Sequence, residues 1–378
     1  METDFDRPIE RRGTCSAKWD LHGHDVLPLW VADMDFAAPP PVLDALRRRL
    51  DHGVIGYGMV HESLTSAICD YQRQRYGWEV RPDWLVFLPA VVPGLNLVCK
   101  AFAGPGDEVM MVTPAYPPFL HAPGLQARTA VRVPTDAVEG RWRLPLEEME
   151  AAVTPRTRVL FFCHPHNPVG RVWSPNEVGA VVDFCRRHQL VLCSDEIHSD
   201  LRLDDLSHVR AAAVEGAGDL TVTVTSPSKP YNLAGLGFAY AVIEDEELRR
   251  RFCAAGEGLF EYDCPTVLGA VACEAAYREG GPWLEQLLDY LRGNRDLVER
   301  FAAERLPHVR TTHVEATYLA WLDVRETGAT DPAAACLAAG VGLMDGADFG
   351  APGFLRLNFG CRRSVLEEAL ERLVTPLG

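Results

Sequence analysis

Short apolar runs alternate with amphipathic segments through the middle of this 378-residue chain. Runs of five or six residues that are mostly apolar or β-branched predict strands at residues 84–88, 108–112, 159–163, 190–194, 221–225 and 238–243. Apolar residues at helical spacing predict helices between several of these strands, notably at residues 92–102 and 175–188. Such alternation is typical of an α/β fold with a mostly parallel sheet that is covered by helices on both faces.

The pattern changes towards both ends of the chain. Beyond about residue 285, the spacing predicts helices at 283–304, 331–340 and 364–373 and strands at 318–323 and 354–359. At the other end, a polar segment leads into an amphipathic helix that ends near Leu50, and a helix at 61–76 follows a glycine-containing loop. We therefore predict a large α/β domain at residues 53–282 and a smaller α/β domain built from residues 1–52 and 283–378.

Polar side chains follow three of the predicted strands. Asn167 comes after one strand, Asp195 after the next and Lys229 after the third. Ligands of parallel sheets bind beyond the carboxyl ends of the strands, so we expect these side chains to meet. Lys229 is one of only three lysines among 37 basic residues, and arginine cannot replace an amine that must lose its proton and attack a carbonyl. Alone it is best explained as part of a surface turn, but the convergence favours a functional amine.

The composition narrows the possible partners. A net charge of −16 argues against nucleic acids and anionic membrane surfaces. No apolar run approaches the length of a membrane span and the N-terminal stretch lacks the apolar core of a secretory signal, so we expect a cytoplasmic protein. Eleven scattered cysteines without a CxxC pair indicate reduced thiols. The HxH pairs at 22–24 and 164–166 lack a partner cluster at metal spacing. Zinc is the alternative there, but structural or hydrogen-bonding histidines are favoured, and we predict no metal site.

Asn167, Asp195 and Lys229 together suggest a site for pyridoxal 5'-phosphate (PLP). This cofactor needs a lysine to hold its aldehyde covalently and a carboxylate to keep its ring nitrogen protonated. The chain resembles class I/II aminotransferases of the aspartate-aminotransferase fold type (PLP fold type I), and within them the MalY/PatB-like cystathionine β-lyases, or cysteine-S-conjugate β-lyases. The matching segments, in the expected order, are WVADMDFAAPPP (30–41), VVPGLNLVCKAF (91–102), HPHNPVGRVW (164–173), SDEIHSDL (194–201), SPSKPYNLAGL (226–236) and FLRLNFG (354–360).

The resemblance implies roles around the cofactor ring. Lys229 would hold PLP covalently and, once freed by the substrate, move the Cα proton. Asp195 would pair with the ring nitrogen, although an isolated Asp there could cap a helix. Asn167 would bond the 3-oxygen and help bind the substrate carboxylate, and it also suits a turn. Tyr116 matches the aromatic residue that stacks on the ring, with a core tyrosine as the alternative. His198 is either a residue near the ring or a buried structural histidine.

The cofactor phosphate requires backbone amides at a helix start and nearby hydroxyl groups. Ala90, Val91 and Val92 precede or open the predicted helix at 92–102 and supply the amides. Ser226 and Ser228 supply the hydroxyls. Ala90 replaces the glycine that is usual in these relatives, a change that keeps the backbone donors.

Three further positions bear on assembly and substrate. Tyr57 matches the tyrosine that reaches the phosphate of the neighbouring subunit, which implies a homodimer with shared active sites. Arg356 is the candidate for a bidentate grip on the substrate α-carboxylate, because an arginine between apolar strand residues is costly to bury unpaired. Asp33 and Asp35 belong to the segment that lines the substrate entrance in relatives, and capping or turn roles fit them as well.

The implied reaction is α,β-elimination from a cysteine S-conjugate or a cystathionine-like amino acid, giving a thiol, pyruvate and ammonia. Gly237 stands where aspartate aminotransferases carry an arginine eight residues after the lysine, which agrees with the lyase group. The alternatives are an aminotransferase, a decarboxylating or oxidative PLP enzyme, and a regulatory binding protein that kept the fold. The segment at 258–273, with Glu261, Tyr262 and Asp263, departs from the expected small polar loop, so a specialised secondary-metabolite conjugate stays open as substrate.

Overall fold

A computed structural model describes residues 3–259 and 266–378. The helices are α1 Pro40–Asp51, α2 Glu62–Tyr76, α3 Val91–Phe102, α4 Pro117–Leu125, α5 Leu146–Ala152, α6 Pro175–His188, α7 Glu246–Gly256, α8 Val267–Glu279, α9 Gly281–Arg305, α10 Pro332–Ala338 and α11 Arg363–Leu377. The strands are β1 Leu27–Pro28, β2 Leu85–Leu88, β3 Glu108–Thr113, β4 Thr129–Pro134, β5 Ala137–Val138, β6 Arg141–Trp142, β7 Thr157–Cys163, β8 Val191–Asp195, β9 Thr221–Thr225, β10 Ala239–Val242, β11 Arg310–Thr311, β12 Leu319–Asp323, β13 Val341–Gly342, β14 Met344–Asp345 and β15 Phe354–Asn358.

The central sheet has seven strands in the order β2-β10-β9-β8-β7-β3-β4. The pairs β9-β8, β8-β7, β7-β3 and β3-β4 are parallel, whereas β10 runs antiparallel to both of its neighbours. Every residue of β3 and β9 is buried, as expected for inner strands that are covered by helices on both faces. The α/β architecture predicted from the alternating pattern is confirmed.

The sequence pattern located most elements to within a few residues and missed several. Helix α6 spans the predicted range because Ser174 accepts a hydrogen bond from the amide of Glu177 and the Glu177 side chain accepts one in return, a capping box that fixes a helix start. Helix α4 contains three prolines, which hid it. Strand β8 ends one residue later than predicted and so includes Asp195. Helices α5, α7 and α8 and strand β4 were not predicted.

A second sheet of four strands, β11-β12-β15-β14, carries Arg356 on β15. The N-terminal segment joins this half of the molecule, since β1 pairs in parallel with β13. One core cluster accordingly contains Phe5 and Leu29 together with Leu319, Leu355 and Leu370. The division into domains at residues 53 and 283 remains a prediction. No helix in the described part of the chain is long and apolar enough to cross a membrane.

Candidate active site

A cavity of about 160 Å³ lies at the carboxyl ends of β7, β8 and β9. Most of the predicted site residues line this cavity, together with residues that were not predicted. The predicted residues that line it are Ala90, Val91, Val92, Tyr116, Asn167, Asp195, His198, Ser226, Ser228 and Lys229; the additional ones include Ala32, Cys163, Ile197, Gly237 and Phe238. The convergence expected from the ends of three strands is therefore present in the fold.

Lys229 reaches this cavity from the turn that follows β9. Its Nζ donates a 2.6 Å hydrogen bond to the carbonyl oxygen of Ala32. Loss of hydration lowers the pKa of Lys229 to about 8, and the positive charge of Arg356 acts in the same direction, while Asp33 and Asp195 oppose the shift. A neutral amine is therefore accessible near physiological pH, which is the form that can act as a base or nucleophile.

Asp195 ends β8 and is buried at the cavity wall. Its Oδ1 accepts a 3.2 Å hydrogen bond from the backbone amide of Ile197. Burial raises the pKa of Asp195 to about 7, which the Ile197 amide and Lys229 only partly offset. A buried carboxylate with so little compensation is stabilised by a cation placed next to it.

His198 also lines the cavity, as a neutral imidazole. Burial lowers the pKa of His198 to about 3, with further contributions from the charges of Lys229 and Arg356. Its Nδ1 is buried without a hydrogen-bond partner in the described structure, and its ring meets Tyr318 edge-on, with centroids 6.4 Å apart. The imidazole is thus neutral, and it serves the site by packing or by a hydrogen bond rather than by charge.

Arg356 is buried beside the cavity and is not itself part of the lining. Its Nη1 donates to Oδ1 of Asn167 (3.1 Å), and its Nη2 donates to the carbonyl of Trp30 (3.0 Å). The guanidinium also lies 4.8 Å from the centroid of the Phe349 ring. Among the described residues no carboxylate pairs with it, its Nε lacks a partner, and burial lowers its pKa to about 10. The site thus holds a buried cation that still needs an anion.

The start of α3 borders the cavity on another side. Ala90 precedes the helix with extended backbone, and no side chain among the described residues caps it. The first amides, those of Val91 and Val92, have no intrahelical partner, as at any helix start. Ser228 also lines this region. The Ser226 hydroxyl donates to the carbonyl of Phe238 (2.6 Å) and accepts from the Ser228 amide (3.0 Å), so its proton already has an acceptor within the protein.

A buried thiol completes the wall next to Asn167. The Sγ of Cys163 donates to the carbonyl of Pro165 (3.2 Å) and accepts from the Asn167 amide (3.5 Å). Burial, together with the charge of Asp195, raises the pKa of Cys163 well above that of a free thiol. Cys163 therefore remains protonated and helps to fix the turn that carries Asn167.

Tyr57 is the one predicted cofactor residue that lies away from this cavity. It belongs to the loop between α1 and α2, and 79% of its surface is exposed, so it does not serve the cavity of its own subunit. Glu261, Tyr262 and Asp263, whose segment departs from the small polar loop expected there, lie outside the described residues.

Sequence reasoning missed the backbone of residues 30–33. The carbonyl of Trp30 binds Arg356, and the carbonyl of Ala32 binds both Lys229 and the hydroxyl of Tyr318 (2.8 Å). Carbonyl groups carry no sequence signal of their own. The clue was the position of this segment within WVADMDF, the stretch that resembles the substrate entrance of relatives.

Comparisons with known proteins agree with the site. The family model for aminotransferase class I and II matches residues 24–373. Cystathionine β-lyase PatB of Bacillus subtilis is 37% identical, over 99% of this chain and 100% of PatB. The crystal structure of OvoB superposes with a TM-score of 0.95 at 42% identity, over 99% of both chains. That of cystalysin from Treponema denticola, which contains PLP, gives a TM-score of 0.95 at 33% identity, over 100% of this chain and 99% of the other. The chain belongs to the class I and II aminotransferase family, in the group of cystathionine β-lyases that includes PatB and MalY.

Proposed function

We propose that this protein is a PLP-dependent carbon–sulfur β-lyase. It cleaves a cysteine S-conjugate or a cystathionine-like amino acid by α,β-elimination and releases a thiol, pyruvate and ammonia. The observation that carries the proposal is the meeting of Lys229, Asp195 and Asn167 in one cavity, in a chain whose relatives include cystathionine β-lyases. The amino-acid substrate follows from the same family.

The side chains and backbone amides that line the cavity fit PLP as the cofactor. The buried carboxylate of Asp195 has its described hydrogen bond on Oδ1 alone, and a protonated ring nitrogen would supply the missing cation. The amine of Lys229 has the lowered pKa that a covalent link requires. The free amides of Val91 and Val92 suit a phosphate, and Tyr116 offers a ring face at the cavity wall.

When bound, PLP supplies an electron sink for the negative charge that develops at the substrate Cα. Lys229, once the substrate amine has freed it, would take the proton from Cα, and Asp195 would keep a proton at the cofactor's ring nitrogen. Arg356 and Asn167, held together at 3.1 Å, bind the α-carboxylate and so orient the Cα–H bond towards Lys229. Breakage of the Cβ–S bond would then release the sulfur as a thiolate, which takes up the proton held by Lys229, and the enamine that remains hydrolyses in water to pyruvate and ammonia.

The test is a product analysis of the protein after incubation with PLP. L-Cystathionine and S-alkyl and S-aryl cysteine conjugates are each supplied, and pyruvate, ammonia and free thiol are measured. We expect the three products in equal amounts without an added keto acid. Amino transfer that depends on a keto acid and releases no thiol would show an aminotransferase instead. Absence of turnover with every amino acid and of a visible cofactor band would leave the binding-protein alternative.

A change of Asp195 to asparagine should remove the negative charge of the carboxylate and keep the shape of the side chain. We expect Asp195→Asn to lower kcat by about 10²-fold or more, because a neutral amide cannot hold the proton at the ring nitrogen against the developing charge. Steady-state kinetics at saturating PLP measure the effect. Asp183→Asn, which changes an exposed carboxylate paired with Arg186 on α6, is the matched control; equal kcat in both variants contradicts the role.

The pKa of Lys229 predicts how the apoprotein takes up PLP. The rate of covalent incorporation should rise with pH and level off above about 8, where the amine is neutral. Arg356→Met should move this midpoint upwards, because the charge of Arg356 helps to lower the pKa of Lys229. Stopped-flow absorbance follows the incorporation. A midpoint near that of a free lysine in the unchanged protein argues against a basic role at neutral pH.

We further propose a cytoplasmic homodimer in which Tyr57 reaches the cofactor phosphate of the partner subunit. The exposure of Tyr57 and of its neighbours Val54, Ile55 and Met59 supports burial of this loop by a second copy. We also propose that residues 53–282 form the large domain and that residues 1–52 and 283–378 together form the small domain. Mixed dimers of Tyr57→Ala and Lys229→Ala subunits, with one intact site each, should regain activity that neither parent shows.

A further inference from the structure

One backbone segment contacts both the reactive amine and the buried arginine. In residues 30–33, the carbonyl of Trp30 accepts from Arg356 (3.0 Å), and the carbonyl of Ala32 accepts from Lys229 (2.6 Å) and Tyr318 (2.8 Å). The position of these carbonyls therefore sets the starting orientation of Lys229 and Arg356 relative to one another.

Lys18, which is not among the residues that line the cavity, also binds this segment. The Lys18 side chain is fully buried, and its Nζ donates to the carbonyl of Asp33 (3.2 Å) and to Oδ2 of Asp35 (3.0 Å). Its own carbonyl accepts the indole N–H of Trp30 (3.2 Å). Lys18 thus binds the segment on both sides of Ala32.

The charges around Lys18 are balanced within the described structure. Arg11 contacts Asp33 at 2.9 Å and Asp35 at 2.6 Å, and Asp33 also lies 3.7 Å from Lys18. Trp19 donates its indole N–H to Asp35 (2.8 Å). The cations Lys18 and Arg11 thus pair with the carboxylates of Asp33 and Asp35. This pairing offsets the desolvation cost of burying the lysine.

Other anchors hold the segment in its general place. Asn358 Nδ2 donates to the carbonyls of Val31 and Asp33. Asn232, three residues after Lys229, accepts from the Met34 amide and donates to the Met34 carbonyl, at 3.0 and 2.8 Å. Loss of Lys18 should therefore leave the fold standing and loosen only the fine placement of the carbonyls.

We propose that Lys18 is a positioning residue for the active site, which holds the carbonyls of Trp30 and Ala32 where they orient Arg356 and Lys229. The inference rests on the proposed lyase function. Its physical basis is preorganisation, since a misplacement of about 1 Å at a reacting group can reduce the rate about 10²-fold. Lys18 touches neither substrate nor cofactor and acts through the segment alone.

The test compares Lys18→Met with the charge-balanced pair Lys18→Met/Asp35→Asn in the PLP-loaded enzyme. We expect the single variant to lose both Tm and kcat/KM. The double variant should recover Tm, because Arg11 and Asp33 then balance each other and no buried charge is left unpaired. Its kcat/KM should stay roughly 10- to 100-fold below that of the unchanged enzyme. Hydrogen–deuterium exchange of a peptide that covers residues 30–36 should be faster in both variants.

Lys100→Met is the control, because Lys100 is exposed and its Nζ donates to a single carbonyl among the described residues, that of Ala255, at 2.7 Å. It should change neither the exchange at residues 30–36 nor kcat/KM. The proposal is overturned if kcat/KM of the pair recovers together with Tm, or if exchange at residues 30–36 matches the unchanged enzyme. An unchanged enzyme that releases no thiol would instead count against the lyase function, while the exchange result still decides the role of Lys18.

Discussion

Replacement of Lys229 by arginine should abolish turnover and leave the protein folded. A guanidinium keeps a positive charge at this position but does not lose its proton, so it can neither link to PLP nor take the Cα proton. We expect kcat to fall by at least about 10³-fold, within the range that proton transfer by a positioned group contributes. Pyruvate release measures the loss, and the protein mass after borohydride treatment reports the covalent link.

The unchanged enzyme should gain the mass of the reduced cofactor, whereas Lys229→Arg should not. Lys100→Arg makes the same exchange in the last turn of α3 and should retain both the mass gain and the activity. A cofactor adduct on Lys229→Arg, or on any peptide other than that of Lys229 in the unchanged enzyme, contradicts the assignment.

Substitution of Arg356 by methionine should cost activity and not stability. Arg356 is buried without a carboxylate partner among the described residues, and burial lowers its pKa to about 10. An apolar side chain of similar length relieves that desolvation, so Tm of the apoprotein should stay level or rise. The substrate carboxylate then loses its bidentate partner, and kcat/KM should fall by about 10²-fold or more.

Arg325→Met provides the comparison for this variant. The Arg325 guanidinium also lies 4.8 Å from an aromatic centroid, that of Phe354, but it is exposed and paired with Asp323. Its loss should leave kcat/KM unchanged and cost at most about 1 kcal/mol of unfolding free energy. If Arg356→Met instead lowers Tm with little effect on kcat/KM, Arg356 is a structural residue.

The sequence predicted the central sheet and the meeting of Asn167, Asp195 and Lys229 because both depend on periodic apolar residues and on strand ends. It did not reveal that β10 is antiparallel to its neighbours, since the pattern of a short apolar run carries no information on the direction of the strand in the sheet. Helix α4 was not predicted because it contains three prolines. Proline disfavours a helix except in the first turn, where the missing amide proton is not needed for an intrahelical hydrogen bond.

The parts of the site that sequence could not supply are backbone groups and long-range pairings. The carbonyl of Ala32 has no residue type that marks it, and it meets Lys229 across 197 positions of sequence. Lys18 is one of the three lysines of the chain, but nothing in the sequence indicates its pairing with Asp35, which depends on the fold. By contrast, the need of Arg356 for a partner was evident from its apolar neighbours in FLRLNF.

Cys163 has a consequence for an enzyme that releases thiols into its own cavity. A thiol product oxidises readily to a disulfide, and a neighbouring cysteine thiolate would attack that disulfide and trap the product on the protein. Because burial and Asp195 raise the pKa of Cys163, this sulfur stays protonated and is a poor nucleophile. The cavity wall can therefore contain a cysteine without becoming a site of mixed-disulfide inhibition by its own product.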